Sequence, residues 1–189
     1  AGFRWDGAGQ LVDTSGAAVR FTVLANAGNP AYGQMAAVIE EDLKQIGIGA
    51  KAVPMEFRSL VDRVTNRRDF EAAILALRPG DADPAADMNV LASTGRTRLW
   101  NLSGKADRAW EGEMDRMMEE QLRTRDMGTR RRLFHEVQRV MAEQEPMVCL
   151  ASPNLLYAAK AGLRNLRPGG IGDLVLWNAD ELYWEGGRG

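Results

Sequence analysis

Cysteine and histidine are almost missing from this sequence: Cys149 and His135 are the only ones in 189 residues. A closed zinc site takes about four ligands rich in His and Cys, so these two cannot build one alone. One thiol cannot form an intrachain disulfide, and sulfur therefore says nothing about redox compartment. Cys149 sits in the apolar run MVCL and is expected to be a small buried hydrophobe. His135 lies in mid-helix beside an apolar face, with no nucleophile elbow to serve, and is expected to be a partly buried structural histidine. A surplus of cations is also lacking. The formal net charge is −2, which argues against a nucleic-acid partner, because phosphate neutralisation needs Lys and Arg massed on one face. The local clusters Arg67-Arg68 and Arg130-Arg131-Arg132 read as solvated helix faces. No run approaches the roughly 18 apolar residues of a membrane span. No charged-then-apolar signal opens the chain, which starts at AGFRWDGAGQLVD without Met, as expected of a processed or truncated product. Internal repeats and low-complexity segments are absent as well.

What is present is an ordinary globular composition, 45% apolar and 26% charged, long enough for one domain with its own core. VRFTVLA (19–25) concentrates β-branched and aromatic residues and reads as a strand. Asn29 before Pro30 reads as a helix N-cap followed by proline at the first helical position, where a missing N–H costs nothing. Met35, Ile39, Leu43 and Ile46 then recur at helical spacing until Gly47. IGAKAVPM (48–55) reads as an edge strand because of Pro54. Phe57, Leu60, Val61 and Val64 mark a second helix. FEAAILAL (70–77) reads as a strand buried on both faces. This alternation predicts an α/β fold with a mainly parallel sheet flanked by helices.

Downstream, Trp110, Met114, Met117, Met118 and Leu122 form one apolar helical face, and the methionine stripe is expected in the core. Asp126 is expected to cap a helix carrying Leu133, Phe134, Val137, Val140 and Met141. MVCL and LLYAA read as two strands around the ASPN turn. The aromatic ending, with Trp177, Tyr183 and Trp184, should pack on something.

The stretch ALRPGDADPAADMN (76–89) follows the 70–77 strand, at the carboxyl end where open α/β sheets place ligands. It sets down Asp81, Asp83 and Asp87. A calcium loop would want Gly at Ala86 and a bidentate Glu at Ala92, and has neither. Paired carboxylates could serve glycosidase chemistry, and capping and turn formation by Asp, Pro and Gly is the plain alternative. RPGGIGD (167–173) lacks the Lys-Ser or Lys-Thr of a phosphate loop. No cofactor is called for.

AGFRWDGAGQLVD, VRFTVLANAGNP, MAAVIEEDLKQIGI, FEAAILALRPGDADP, RRRLFHEVQRVMAEQEPMVCL and LWNADELYW, in that order and spacing, resemble the C-terminal part of the family 5 extracytoplasmic solute-binding proteins, the peptide/nickel-type receptors of ABC importers. The resemblance implies one lobe of a two-lobe, type II periplasmic-binding-protein-like fold over 1–189, with the tail from about 165 packing toward a missing N-terminal lobe. It implies no enzymatic activity. The implied partners are a small solute, peptide foremost, and ABC permease subunits in the membrane, and the implied location is periplasmic or extracytoplasmic.

Peptide-binding members of that family show an aromatic residue, an acid three positions later that meets the peptide amino terminus, and then an acid-Pro pair. Asp83-Pro84 matches the last element. Leu77 stands at the aromatic position and Gly80 at the acid position, with Asp81 displaced by one. Asp81 and Asp83 are nonetheless the expected ligand contacts, joined by Arg78, whose guanidinium suits a carboxylate or phosphate. STGRTRLWNLS (93–103) resembles a cleft-bordering region of the family, which adds Trp100 and Asn101. Two other readings stand beside this one. A hydrolase using Asp81 or Asp83 would lose turnover in Asp81→Asn, and an interaction domain would give an oligomer with an empty cleft.

Overall fold

In the computed structural model, residues 2–77, 83–169 and 175–186 are described. By packing, the chain divides into two compact units, 1–77 and 78–189. The first opens with β1 (Arg4–Trp5) and β2 (Leu11–Val12), a short antiparallel pair. It continues with β3 (Arg20–Asn26), α1 (Pro30–Gln45), β4 (Gly49–Met55), α2 (Phe57–Asp62) and β5 (Ala72–Ala73). β3 is central, with β4 and β5 parallel to it on either side. The α/β reading and the edge position of Pro54 are therefore both found.

Alternation along β3 distributes its buried run. Val23 and Ala25 pack with Ala36, Tyr32, Met35 and Ile39 of α1, while α2 lies against the same strand and buries Leu60. α1 starts where the sequence predicts, with the Asn29 side chain accepting the Ala31 N–H at 3.1 Å and Pro30 at its first position. It stops at Gly47, whose φ of +81° L-residues rarely adopt and where a Cβ would lie 2.5 Å from the Gly9 carbonyl oxygen. Ile46 falls beyond the last turn and is exposed, as is Phe57 in the first turn of α2.

The 70–77 strand is shorter than expected. Only Ala72–Ala73 join the ladder, and the Ile74 N–H then donates to the Leu24 carbonyl at 2.8 Å. The Glu71 carboxylate takes the Thr22 N–H at 2.7 Å and its hydroxyl at 2.8 Å, so a side chain holds the β3 donor nearest the start of β5. Leu77 is exposed.

The second unit begins, after its undescribed residues 78–82, with a 3₁₀ turn at Pro84–Asp87 that runs into α3 (Met88–Leu91). α4 (Ala109–Arg123) and α5 (Met127–Gln144) follow and pack on each other. Met114, Met117 and Met118 meet Val137, Val140 and Leu91 in the core, as the methionine stripe predicts. Asp126 caps α5 by accepting the Thr129 N–H at 2.7 Å. Leu122 is exposed and its neighbour Gln121 is buried instead. His135 lies on the outer side of α5 and is exposed, because Phe134 and Val137 turn inward and set it one position off the core face. Cys149 is exposed too, as are Val148 and Leu150 beside it, and neither MVCL nor LLYAA forms a strand. Instead β6 (Leu163–Arg164) pairs antiparallel with β7 (Tyr183–Trp184). Trp177, Tyr183 and Trp184 are more than half exposed.

Candidate functional site

Arg78 and Asp81 lie outside the described residues. Asp83 is the first described residue of the acidic loop. Its side chain caps the 3₁₀ turn through the Ala85 N–H at 2.8 Å. It also accepts both terminal nitrogens of Arg130, at 2.5 and 3.0 Å, a bidentate geometry of the strong kind. Arg130 reaches back to Gln121 Oε1 of α4 at 2.9 Å. The Arg130 hydrogen bonds, with the Ala85 N–H, hold the Asp83 carboxyl below the usual carboxylate range. It is thus an ionised, doubly engaged anchor, poorly suited to act as a nucleophile or proton donor. Its tie to Arg130 spans 47 positions and left no local sign in the sequence, which reads Arg130 as part of a solvated face.

Trp100 and Asn101 come to the other end of α4. The Asn101 side-chain amide donates to Asp107 Oδ2 at 3.0 Å and to Glu111 Oε2 at 3.1 Å. Glu111 also accepts the backbone N–H groups of Asp107 and Arg108 at 2.7 and 3.1 Å, closing the first turn of the helix. Its second oxygen meets Arg98 Nη2 at 2.8 Å in an ion pair whose two side chains are 1% and 3% exposed. Burial pushes the Glu111 carboxyl up. The Asp107 N–H, the Asn101 amide, the Arg108 N–H and the Arg98 charge outweigh that and hold it below its ordinary value. Arg98 also donates to Ser93 Oγ at 2.8 Å and stacks its guanidinium 5.3 Å from the Trp100 ring centre. The sequence reading singles out neither residue: Glu111 has a local signal, an acid three positions after the N-cap Arg108, and Arg98 has none.

These residues line an open depression of about 410 Å³ formed by Trp100, Asn101, Asp107, Arg108, Trp110 and Glu111, with Pro146 at its edge. The indole N–H groups of Trp100 and Trp110 are buried and have no acceptor among the described residues, an arrangement native proteins rarely leave unanswered. The site offers indole faces, an amide and an Arg beside two carboxylates already committed to partners. Among the described residues no group of His, Cys, Asp and Glu could hold a metal ion. Asp83 and Asn101 do not converge: they are tied to Gln121 and Glu111, ten positions apart on α4, or about 15 Å along the axis at about 1.5 Å per residue.

No family model matches the chain. It is 27% identical over 161 residues to a probable ABC transporter-binding protein of Deinococcus radiodurans, covering 79% of this chain and 27% of that one. It is 23% identical over 160 residues to the peptide transport periplasmic protein SapA of Haemophilus influenzae, covering 82% and 28%. In structure it is similar to NikZ of Campylobacter jejuni, solved with Ni(L-His), at a TM-score of 0.70 and 18% identity over 96% of this chain and 36% of that one. The chain therefore spans little more than a quarter of the curated relatives it matches.

Proposed function

Since this chain resembles in sequence, and shares the α/β fold of, a partial lobe of the type II solute-binding proteins of the peptide/nickel family, we propose that it is part of the substrate-binding component of an ABC importer. The observation that carries this is the match to a transporter-binding protein along four fifths of the chain. In this reading 1–189 form one lobe and the acidic loop borders a cleft that closes on a small solute when water is expelled. Asp81, Arg78 and Asp83 supply charge, and Trp100 and Asn101 supply an indole platform and an amide. The tail from about 165 packs toward the rest of the protein. Peptide is the solute class that SapA's name supports, the same name supports a periplasmic location, and delivery to a membrane permease belongs to this reading. The binding role leaves no work for a catalytic pair.

The test is native mass spectrometry of the protein purified from its own cells, followed by release and identification of the small molecule it carries. A peptide, chelate or sugar in stoichiometric amount supports the reading. Asp81→Ala, Arg78→Ala and Trp100→Ala should then each weaken its binding by about tenfold or more, the equivalent of about 1.4 kcal/mol. A protein that carries nothing and is stabilised by no member of a solute library overturns it.

A further inference from the structure

The depression at the start of α4 is unbalanced in its hydrogen-bonding groups. Every side-chain acceptor that lines it already has a donor. Asn101 Oδ1 takes the Ser103 N–H at 2.9 Å. Asp107 takes the Asn101 amide and stands 3.8 Å from Lys105 Nζ. Glu111 takes two backbone N–H groups, the Asn101 amide and Arg98. The spare groups are all donors. The indole N–H groups of Trp100 and Trp110 have no acceptor among the described residues, and neither has Nε of Arg98, whose guanidinium lies against the Trp100 ring. Buried donors without acceptors number only about a few per hundred residues in native proteins, so three between Arg98 and Trp110 mark a place built to receive an acceptor.

Charge leans the same way. Arg108 lines the depression, is exposed, and makes no ion pair among the described residues. Around the depression the cations Arg98, Lys105 and Arg108 stand with the acids Asp107 and Glu111, three against two, which leaves one positive charge over. A solute that brings an ammonium or an amide N–H meets no open side-chain acceptor there. An oxygen with lone pairs meets donors that nothing else claims. A neutral carbonyl would answer an indole and leave Arg108 idle, whereas a carboxylate answers both, and charge-assisted hydrogen bonds are the stronger kind.

We propose that the depression seats a carboxylate of the solute, with Trp100 and Trp110 donating their indole N–H groups, Arg108 supplying the charge and the buried Arg98 backing Trp100. Both indole N–H groups are shut off from water, so the carboxylate reaches them as the indole edges turn toward the depression. This deepens the solute-receptor reading and rests on it for the carboxylate's belonging to a transported solute. The recognition itself needs only residues of this chain.

Indole N–H NMR of the 189-residue chain at neutral pH tests it, with Trp100→Phe and Trp110→Phe assigning the two signals among the five tryptophans. The probes are N-acetylglycine, a carboxylate at that pH, its neutral amide N-acetylglycinamide, and ethylammonium chloride. N-acetylglycine is expected to move both signals saturably, with at least about tenfold tighter binding than its amide, and ethylammonium to move neither. Arg108→Gln, at an exposed position, should weaken the N-acetylglycine response by about tenfold, since it removes the rim charge. Signals that ignore the carboxylate overturn the proposal and assign the indole donors to internal water. Signals that move equally with all three probes overturn it too. A native product that carries a solute lacking a carboxylate keeps the receptor reading and overturns this one alone. A native product that carries nothing, from a chain whose indoles answer N-acetylglycine, overturns the receptor reading and keeps the carboxylate site.

Discussion

Glu111 receives four donors in the interior of the second unit: two backbone N–H groups, the Asn101 amide and Arg98. Removing its charge strands Arg98, which is fully buried. Glu111→Ala is therefore expected to destabilise the chain by about 3–5 kcal/mol, the range for breaking a buried pair from one side, as read by urea unfolding. Arg98→Met with Glu111→Leu should recover part of that loss, because it removes both charges, but not the part that came from the helix-start N–H groups. The pair also sets an acid limit. The folded carboxyl titrates below the ordinary value of 4.5, so the stability it contributes is complete above that value and is lost as the pH falls through the lower folded value. Unfolding free energy followed from pH 7 to pH 3 should drop in that acid window, and Glu111→Gln should flatten the drop. An unchanged acid limb in the variant would remove Glu111 from this role.

Elements carry the site through their ends. α4 anchors Trp100 and Asn101 at its first turn and, through Gln121 and Arg130, holds Asp83 near its last. The loop leading into Arg98 is folded tightly over Asn89: the Gly95 N–H donates to Ala92 and the Thr97 N–H to Asn89. A Cβ on Gly95 would collide with the Asn89 carbonyl, so Gly95→Ala should lower the melting temperature and loosen the Trp100 environment, seen as a shift in indole fluorescence. At the start of α1, Asn29→Ala should cost about 1 kcal/mol, the usual loss of an N-cap, measurable as a shift in the urea midpoint. That cap was legible because it is local: Asn, then Pro, then apolar residues at helical spacing. β3, α1, β4, α4 and α5 were legible for the same reason. The buried Arg98, the Asp83–Arg130 tie, the late start of β5 after Glu71 and the β6–β7 pair were not, since each depends on partners far apart in the chain. MVCL and LLYAA have strand composition, and among the described residues no strand pairs with them, which a single sequence has no means of showing.

At the scale of the molecule the unmatched quantities point the same way. The second unit buries its methionines well, yet it leaves Val148, Leu150, Leu155, Leu156, Trp177, Tyr183 and Trp184 in water. Patches of that extent on a soluble protein mark contact surfaces. Cys149 sits inside the first of them and is the only thiol, so it reports on the cover. In the 189-residue chain it should react with an aromatic disulfide reagent as fast as a free cysteine peptide. Slow reaction instead would mean that the segment folds back onto its own unit.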